Sequence, residues 1–173
     1  MIARPLAVLT LAATLGGCAM MAGHPAPPPA APVRYTGTPQ ERWEQGQAAY
    51  LAWSAQRPGW TTTPSGLQYH RVKAAKASAP RPAPGAVVTI HYVGRFIDGR
   101  EFDSSRARGE PATFPLTRLI KGWQEGVPMM RVGEVWEFVI PASIGYGERN
   151  RDPIPPGSTL LFEIELIAVP AEE

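Results

Sequence analysis

Cysteine and histidine are scarce in this 173-residue chain, which has one cysteine, Cys18, and three histidines, His24, His70 and His91. A single cysteine forbids any disulfide within the chain. Structural zinc needs four Cys/His ligands at set spacings, and the sequence cannot supply them. Nucleophilic catalysis by cysteine or by a Ser-His pair is equally short of parts. A nucleophile elbow, a P-loop and a dinucleotide fingerprint are all missing. Lys and Arg number 17 against 15 Asp and Glu, a net of +2 with no basic block, so nucleic acid is not the expected partner. No metal and no cofactor are expected.

Proline is abundant but unevenly placed: of 20 in all, 12 precede residue 86. The first half therefore reads largely as linker and the second as a domain. Met1 to Gly17 has the form of a secretory signal, with Arg4 as its positive end and an apolar run from Leu6 to Leu15 that is too short to span a bilayer. Leu15-Gly16-Gly17-Cys18 resembles the bacterial lipobox, which implies cleavage before Cys18 and lipid on that cysteine. The alternative is an ordinary signal peptide with an incidental cysteine. Buried acyl methylenes contribute about 0.8 kcal/mol each, so several chains would hold the protein on a membrane. Ala19, by analogy with Gram-negative sorting, points to the periplasmic side of the outer membrane. Residues 18–37, rich in Pro and Ala, read as a polyproline tether in which His24 is solvated.

A helix is expected over 38–58. Thr38 can cap it, Pro39 suits its first position, Glu41 completes a capping box, and Pro58-Gly59 stops it. Trp43, Tyr50, Leu51 and Ser54 share one face of that helix. The stripe either packs on the folded body or pairs with a second copy. A single helix makes a small dimer surface, which favours the body and a monomer.

From Ser65 the pattern becomes strand-like alternation. Strands are expected over 66–72, 87–96, 100–104, 112–116, 134–140 and 159–169, with a two-residue hairpin turn at Asp98-Gly99. One short helix is expected over 119–127. The result is an α+β fold, an antiparallel sheet with one short helix on its apolar face, over 65–169. Glu101 and Asp103 lie two apart on a strand, but the residues around them provide no sugar-sized polar cleft, so a glycosidase pair is not expected. His91 reads as a solvent-facing strand residue.

Five phrases remain: Val88-Thr89-Ile90-His91-Tyr92-Val93-Gly94; Asp98-Gly99-Arg100-Glu101-Phe102-Asp103-Ser104-Ser105; Ile120-Lys121-Gly122-Trp123-Gln124-Glu125-Gly126; Ile144-Gly145-Tyr146-Gly147; and Ile154 through Glu163. In this order and spacing they resemble the FKBP-type peptidyl-prolyl cis-trans isomerases. Glu110 to Leu116 and the lead-in Thr63 to Tyr69 resemble the bacterial Mip-like envelope branch.

The resemblance implies a twisted sheet wrapped around the short helix and an isomerase that rotates X-Pro bonds. It implies a pocket floored by Trp123, walled by Tyr92, Phe102 and Phe162, and rimmed by Leu119 and Ile120. The Ile120 N–H and the Tyr146 hydroxyl would hold substrate carbonyls, and Asp103, a buried carboxylate at the pocket edge, would be oriented by Tyr92 and Arg108. Proline-containing polypeptides of the cell envelope are the implied clients, with macrolides as possible ligands. The alternative from a different class is a non-catalytic proline-binding module or envelope chaperone. Three departures bear on specificity. Ala112 stands where many eukaryotic members have an aromatic, opening one wall; the segment between Leu116 and Ile120 is about two residues shorter than in the small eukaryotic members; and the loop 147–155 carries Glu148, Arg149, Arg151 and Asp152 without histidine or aromatic residues.

Overall fold

The computed structural model describes residues 35–170. The signal peptide, Cys18 and most of the tether lie outside the described residues. Helix α1 (Pro39–Ser54) is followed by strands β1 (Thr61–Thr62), β2 (Gln68–Lys73), β3 (Val87–Phe96), β4 (Glu101–Ser104) and β5 (Ala112–Pro115). Helix α2 (Lys121–Gly126) and strands β6 (Val135–Ile140) and β7 (Leu160–Ala168) complete the order. The strands form one sheet in the order β1-β2-β6-β7-β3-β4, with β5 also paired to β3, and every pairing is antiparallel.

Alternation along the three central strands decides what is buried. Val88, Ile90 and Tyr92 of β3, Trp136, Phe138 and Ile140 of β6, and Phe162, Ile164 and Leu166 of β7 turn to one face and form the main core. Helix α2 closes that face. It fits because Gly122 and Gly126 present bare backbone to the sheet: a Cβ on Gly122 would lie 2.7 Å from Ile140, and one on Gly126 2.5 Å from Phe138. Those two glycines let the helix settle deep enough to bring Trp123 into the core.

The capping box at Thr38 is present, with the Glu41 N–H donating to Thr38 Oγ1 and the Thr38 N–H to the Glu41 carboxylate. Burial of the helix follows. Tyr50 packs on Val139 and Leu161, which point to the face of the sheet opposite α2. Polar contacts pin the same helix: Trp43 Nε1 donates to the Pro156 carbonyl (3.0 Å), and the Thr159 N–H donates to Gln47 Oε1 (2.8 Å). Of the two fates open to the stripe, packing on the body is therefore the one adopted within this chain. Its buried line is Gln47, Tyr50 and Ser54, with Trp43 and Leu51 only partly covered. Gln47 escaped the pattern because a buried amide looks polar in sequence.

Several boundaries differ from expectation. Helix α1 ends at Ser54, and the residues to Trp60 form turns. Strand β2 starts at Gln68 because Thr63 to Leu67 close a turn, with the Gly66 N–H donating to the Thr63 carbonyl. The hairpin after β3 has a three-residue loop, not two. The Gly99 N–H donates to the Phe96 carbonyl, and the Phe96 N–H to the Arg100 carbonyl, with Gly99 at φ 86° taking the left-handed position of a bulge turn. The short helix begins at Lys121, because Leu119 and Ile120 are extended after a 3₁₀ turn at Leu116–Arg118. His91 is half-buried, its Nδ1 sharing a hydrogen bond of 3.0 Å with Ser105 Oγ, so it is not simply solvated.

The Tyr50 hydroxyl is buried without a hydrogen-bond partner, and burial pushes its pKa up to about 12 from 10.0. A raised folded-state pKa means the neutral phenol contributes stability that is whole below pH 10 and is lost as pH climbs towards 12. Urea unfolding of Tyr50→Phe should show a flatter stability profile across that alkaline window, with no loss at neutral pH.

Candidate functional site

Four aromatic rings converge where β3, β4 and β7 meet α2. Trp123, only 5% exposed, stands perpendicular to Tyr92 (centroids 5.3 Å apart, 78°) and to Phe162 (5.0 Å, 87°). Phe102 meets Phe162 at 5.6 Å and 89°. Edge-to-face contacts of this kind add about 0.5–1.5 kcal/mol each beyond burial. Such packing leaves the rings fixed and the space beside them unfilled. That space is a cleft of about 590 Å³ lined by these four rings together with Asp103, Leu119, Ile120 and Tyr146.

Tyr92, Asp103 and Arg108 form a closed triangle at one edge. The Tyr92 hydroxyl donates to Asp103 Oδ2 (2.6 Å), Arg108 Nη2 donates to the Tyr92 oxygen (2.9 Å), and Arg108 Nη1 donates to Asp103 Oδ1. Burial, reinforced by the hydrogen bond to Asp103, raises the Tyr92 phenol above its ordinary value, so it remains a neutral donor. The hydrogen bonds to Tyr92 and Asp103 hold the Arg108 guanidinium charged. Arg108 thus fixes the carboxylate from behind without lining the cleft.

Every residue expected at the pocket lines this one cleft except Arg108, which acts through its two partners. One expectation needs correction: Asp103 is not buried, its side chain being 44% exposed. Phe102 and Asp103, neighbours on β4, both border the cleft, because the β3–β4 pairing shifts register between Gly94 and Arg95. Glu101 turns away to Arg95 (3.6 Å), so the two carboxylates of β4 serve different partners. Ala112 does not line the cleft and opens no wall; Phe114, two residues on, supplies an aromatic there at 6.4 Å from Tyr92. Period-two alternation from Ala112 was the signal that could have found it. Arg149 and Arg151 of the charged loop 147–155 line the cleft, and so do Arg118 and Lys121, which sequence reasoning missed because isolated exposed charges look merely solvated.

The Ile120 N–H, which precedes the first turn of α2, and the Tyr146 hydroxyl are both at this cleft and unengaged among the described residues. The Trp123 indole N–H is buried and likewise has no acceptor. Among the described residues there is no His/Cys/Asp/Glu cluster able to hold a metal. A hollow floored and walled by aromatic rings, with donors and cations around its mouth, suits binding of an apolar ring whose flanks carry polar groups.

This fold and cleft belong to a known class. Residues 79–167 match the family model of FKBP-type peptidyl-prolyl cis-trans isomerase, and the chain belongs to that family. It is 44% identical over 120 residues to an FKBP-type peptidyl-prolyl cis-trans isomerase, FkpA, of Aeromonas hydrophila, covering 69% of this chain and 44% of that protein. It is 41% identical over 122 residues to the outer membrane protein MIP of Legionella longbeachae, covering 70% and 52%, a likeness that supports the Mip-like branch. A crystal structure of a peptidyl-prolyl cis-trans isomerase from Pseudomonas syringae superposes with a TM-score of 0.70 at 32% identity, covering 79% of this chain and 99% of that one. The chain spans about half the length of the curated relatives it matches.

Phe162 is both wall and core, being 3% exposed and in ring contact with Tyr92, Phe102 and Trp123. Replacing it with alanine should cost about 3–5 kcal/mol of stability, read as a lowered urea midpoint together with loss of near-ultraviolet aromatic dichroism.

Proposed function

We propose that the protein accelerates cis-trans rotation of X-Pro bonds in cell-envelope polypeptides. The observation that carries this reading is the aromatic seat within the cleft: an indole beneath three aromatic walls, with the Ile120 N–H and the Tyr146 hydroxyl left free at its edge. Rotation about the peptide bond faces a barrier of about 18–20 kcal/mol and takes tens to hundreds of seconds for X-Pro unaided. No covalent bond is broken, so neither nucleophile nor metal is called for. Only interactions stronger in the twisted state than in the planar one lower the barrier.

Twisting removes amide resonance. The carbonyl oxygen loses negative charge and the nitrogen turns pyramidal. A pyrrolidine ring seated on Trp123 leaves water, and the charge-separated planar amide loses more solvation by that transfer than the twisted form does. Tyr92, Phe102 and Phe162 hold the ring's sides. The Ile120 N–H and the Tyr146 hydroxyl fix the carbonyls on either side of the rotating bond, so that rotation is confined to the imide. Asp103, locked by Tyr92 and Arg108, presents a fixed carboxylate to the same space. Reducing the barrier by about 5 kcal/mol corresponds to roughly 10⁴-fold.

Asp103→Ala and Tyr146→Phe should each slow isomerisation of a short Leu-Pro peptide by roughly 2- to 10-fold, the worth of one hydrogen bond, with far-ultraviolet dichroism unchanged. Normal rates in both variants would remove the assigned roles. Undetectable turnover by the wild-type chain despite peptide binding would point instead to a proline-binding module. Macrolides share the demand for an apolar seat with two donors and are proposed as ligands of the same cleft.

The reading extends to place. Residues 1–17 act as the export signal, 18–37 as a lipid-bearing tether from Cys18, 38–58 as the segment, helical over Pro39–Ser54, that docks on the body, and 65–169 as the isomerase domain, anchored on the periplasmic side of the outer membrane. Cys18→Ser should move the protein from the membrane pellet to the soluble periplasmic fraction. Continued sedimentation with membranes would count against the anchor.

A further inference from the structure

Charge is nearly balanced over the whole chain, with 17 cations against 15 carboxylates, yet it is not balanced at the cleft. Arg118 and Lys121 stand at the foot of α2, and Arg149 and Arg151 on the facing loop; all four line the cavity and all four are exposed. Asp103 is the single carboxylate lining it, and Arg108 already neutralises that group. Elsewhere Arg71 pairs with Glu134, Arg95 with Glu101, Arg100 with Asp98, and Arg106 with Glu163 and Glu165, while Arg81 and Arg131 donate to the Met129 and Ala79 carbonyls and Arg57 lies over the Trp53 and Trp60 rings. Among the described residues none of the four at the cleft has an ion-pair partner. The loop's own acids, Glu148 and Asp152, do not line the cavity, and the Glu148 carboxylate lies on the Gly157 side.

Geometry sets these cations apart from an ordinary solvated surface. They come to one hollow from two separate stretches of chain, 118–121 and 149–151, the Arg151 guanidinium resting over the Tyr146 ring at 5.1 Å. A peptide seated with its proline on Trp123 must run out between the two pairs. Their like charges repel one another and a basic peptide, and they meet no counter-charge until a chain enters. An anionic residue close to the proline supplies it.

We propose that the cleft selects proline bonds flanked by acidic side chains. This rests on the isomerase reading above and names the substrate class of the same site. The apolar floor recognises the proline, and the basic rim recognises carboxylates on neighbouring residues. One exposed ion pair changes affinity by about 1.4- to 5-fold, so two pairs give roughly tenfold selection over a basic peptide. Salt weakens this selection, since the Debye length falls from about 10 Å at 0.1 M to about 3 Å at 1 M.

The test uses three peptides sharing an Ala-Leu-Pro-Phe core, flanked on both sides by Glu, by Ser or by Lys. Turnover is followed by exchange NMR and binding by calorimetry, in low and high sodium chloride. The expected order of kcat/KM is Glu, then Ser, then Lys, with the spread collapsing in high salt. Arg149→Glu with Arg151→Glu should invert the Glu-to-Lys ratio. Arg118→Glu with Lys121→Glu provides the same reversal from the other side should the first pair disturb the loop. Equal kcat/KM for all three peptides, or a ratio unmoved in both double variants, overturns the charge selection while leaving the isomerase intact. No turnover of any peptide, with the Glu peptide still bound most tightly, removes the isomerase reading and keeps the selection. No turnover and no binding preference removes both.

Discussion

Everything at the cleft depends on how closely α2 lies against the sheet. Gly122 and Gly126 allow a contact distance that any side chain would forbid, with Ile140 and Phe138 filling the space a Cβ would need. The intervening Trp123 is thereby carried into the core, where Tyr92 and Phe162 meet it at right angles. A floor so supported does not move aside when a ligand arrives. Rigidity is what the proposed chemistry requires, because a pocket that relaxed around the planar amide would gain nothing by twisting it.

The polar groups are arranged in the same spirit. Tyr92 serves the core with its ring and the edge of the cleft with its hydroxyl, and Arg108 ties that hydroxyl to Asp103. The 3₁₀ turn before α2 leaves Ile120 extended, so its N–H is not consumed by the helix that follows. On the far face of the sheet, α1 holds Pro156 and Thr159 through Trp43 and Gln47, at the base of the loop that carries Tyr146, Arg149 and Arg151. Two layers of packing, one on each side of the sheet, thus converge on a single opening.

Much of this was legible from the chain. Largely alternating apolar residues along β3, β6 and β7 announce buried strands, Thr38 with Glu41 announces the helix start, and the phrases around Trp123 and Tyr146 bring the pocket with them by resemblance. What escaped has physical reasons. Gln47 is buried because its amide finds the Thr159 backbone, a partner 112 positions away that no local pattern reveals. The hairpin at Asp98-Gly99 spans three residues because pairing is decided by Arg100, outside the turn signal. Phe114, two positions along β5 from Ala112, reaches the cleft only because folding pairs that strand with β3 beside Tyr92. The charged loop with Arg149 and Arg151 was legible, but its meeting with Arg118 and Lys121 was not, because some thirty positions separate the two pairs and only folding gathers them.

The measurement that bears most directly on the central claim is exchange spectroscopy of a Leu-Pro peptide with the protein, following the Trp123 indole N–H in the same titration. Cis-trans cross-peaks should appear on a sub-second scale against an unaided time of tens to hundreds of seconds, and the indole resonance should shift to saturation at the concentration that saturates exchange. Fast exchange with an unmoved Trp123 resonance, or a shifted resonance with exchange at the unaided rate, would contradict the account.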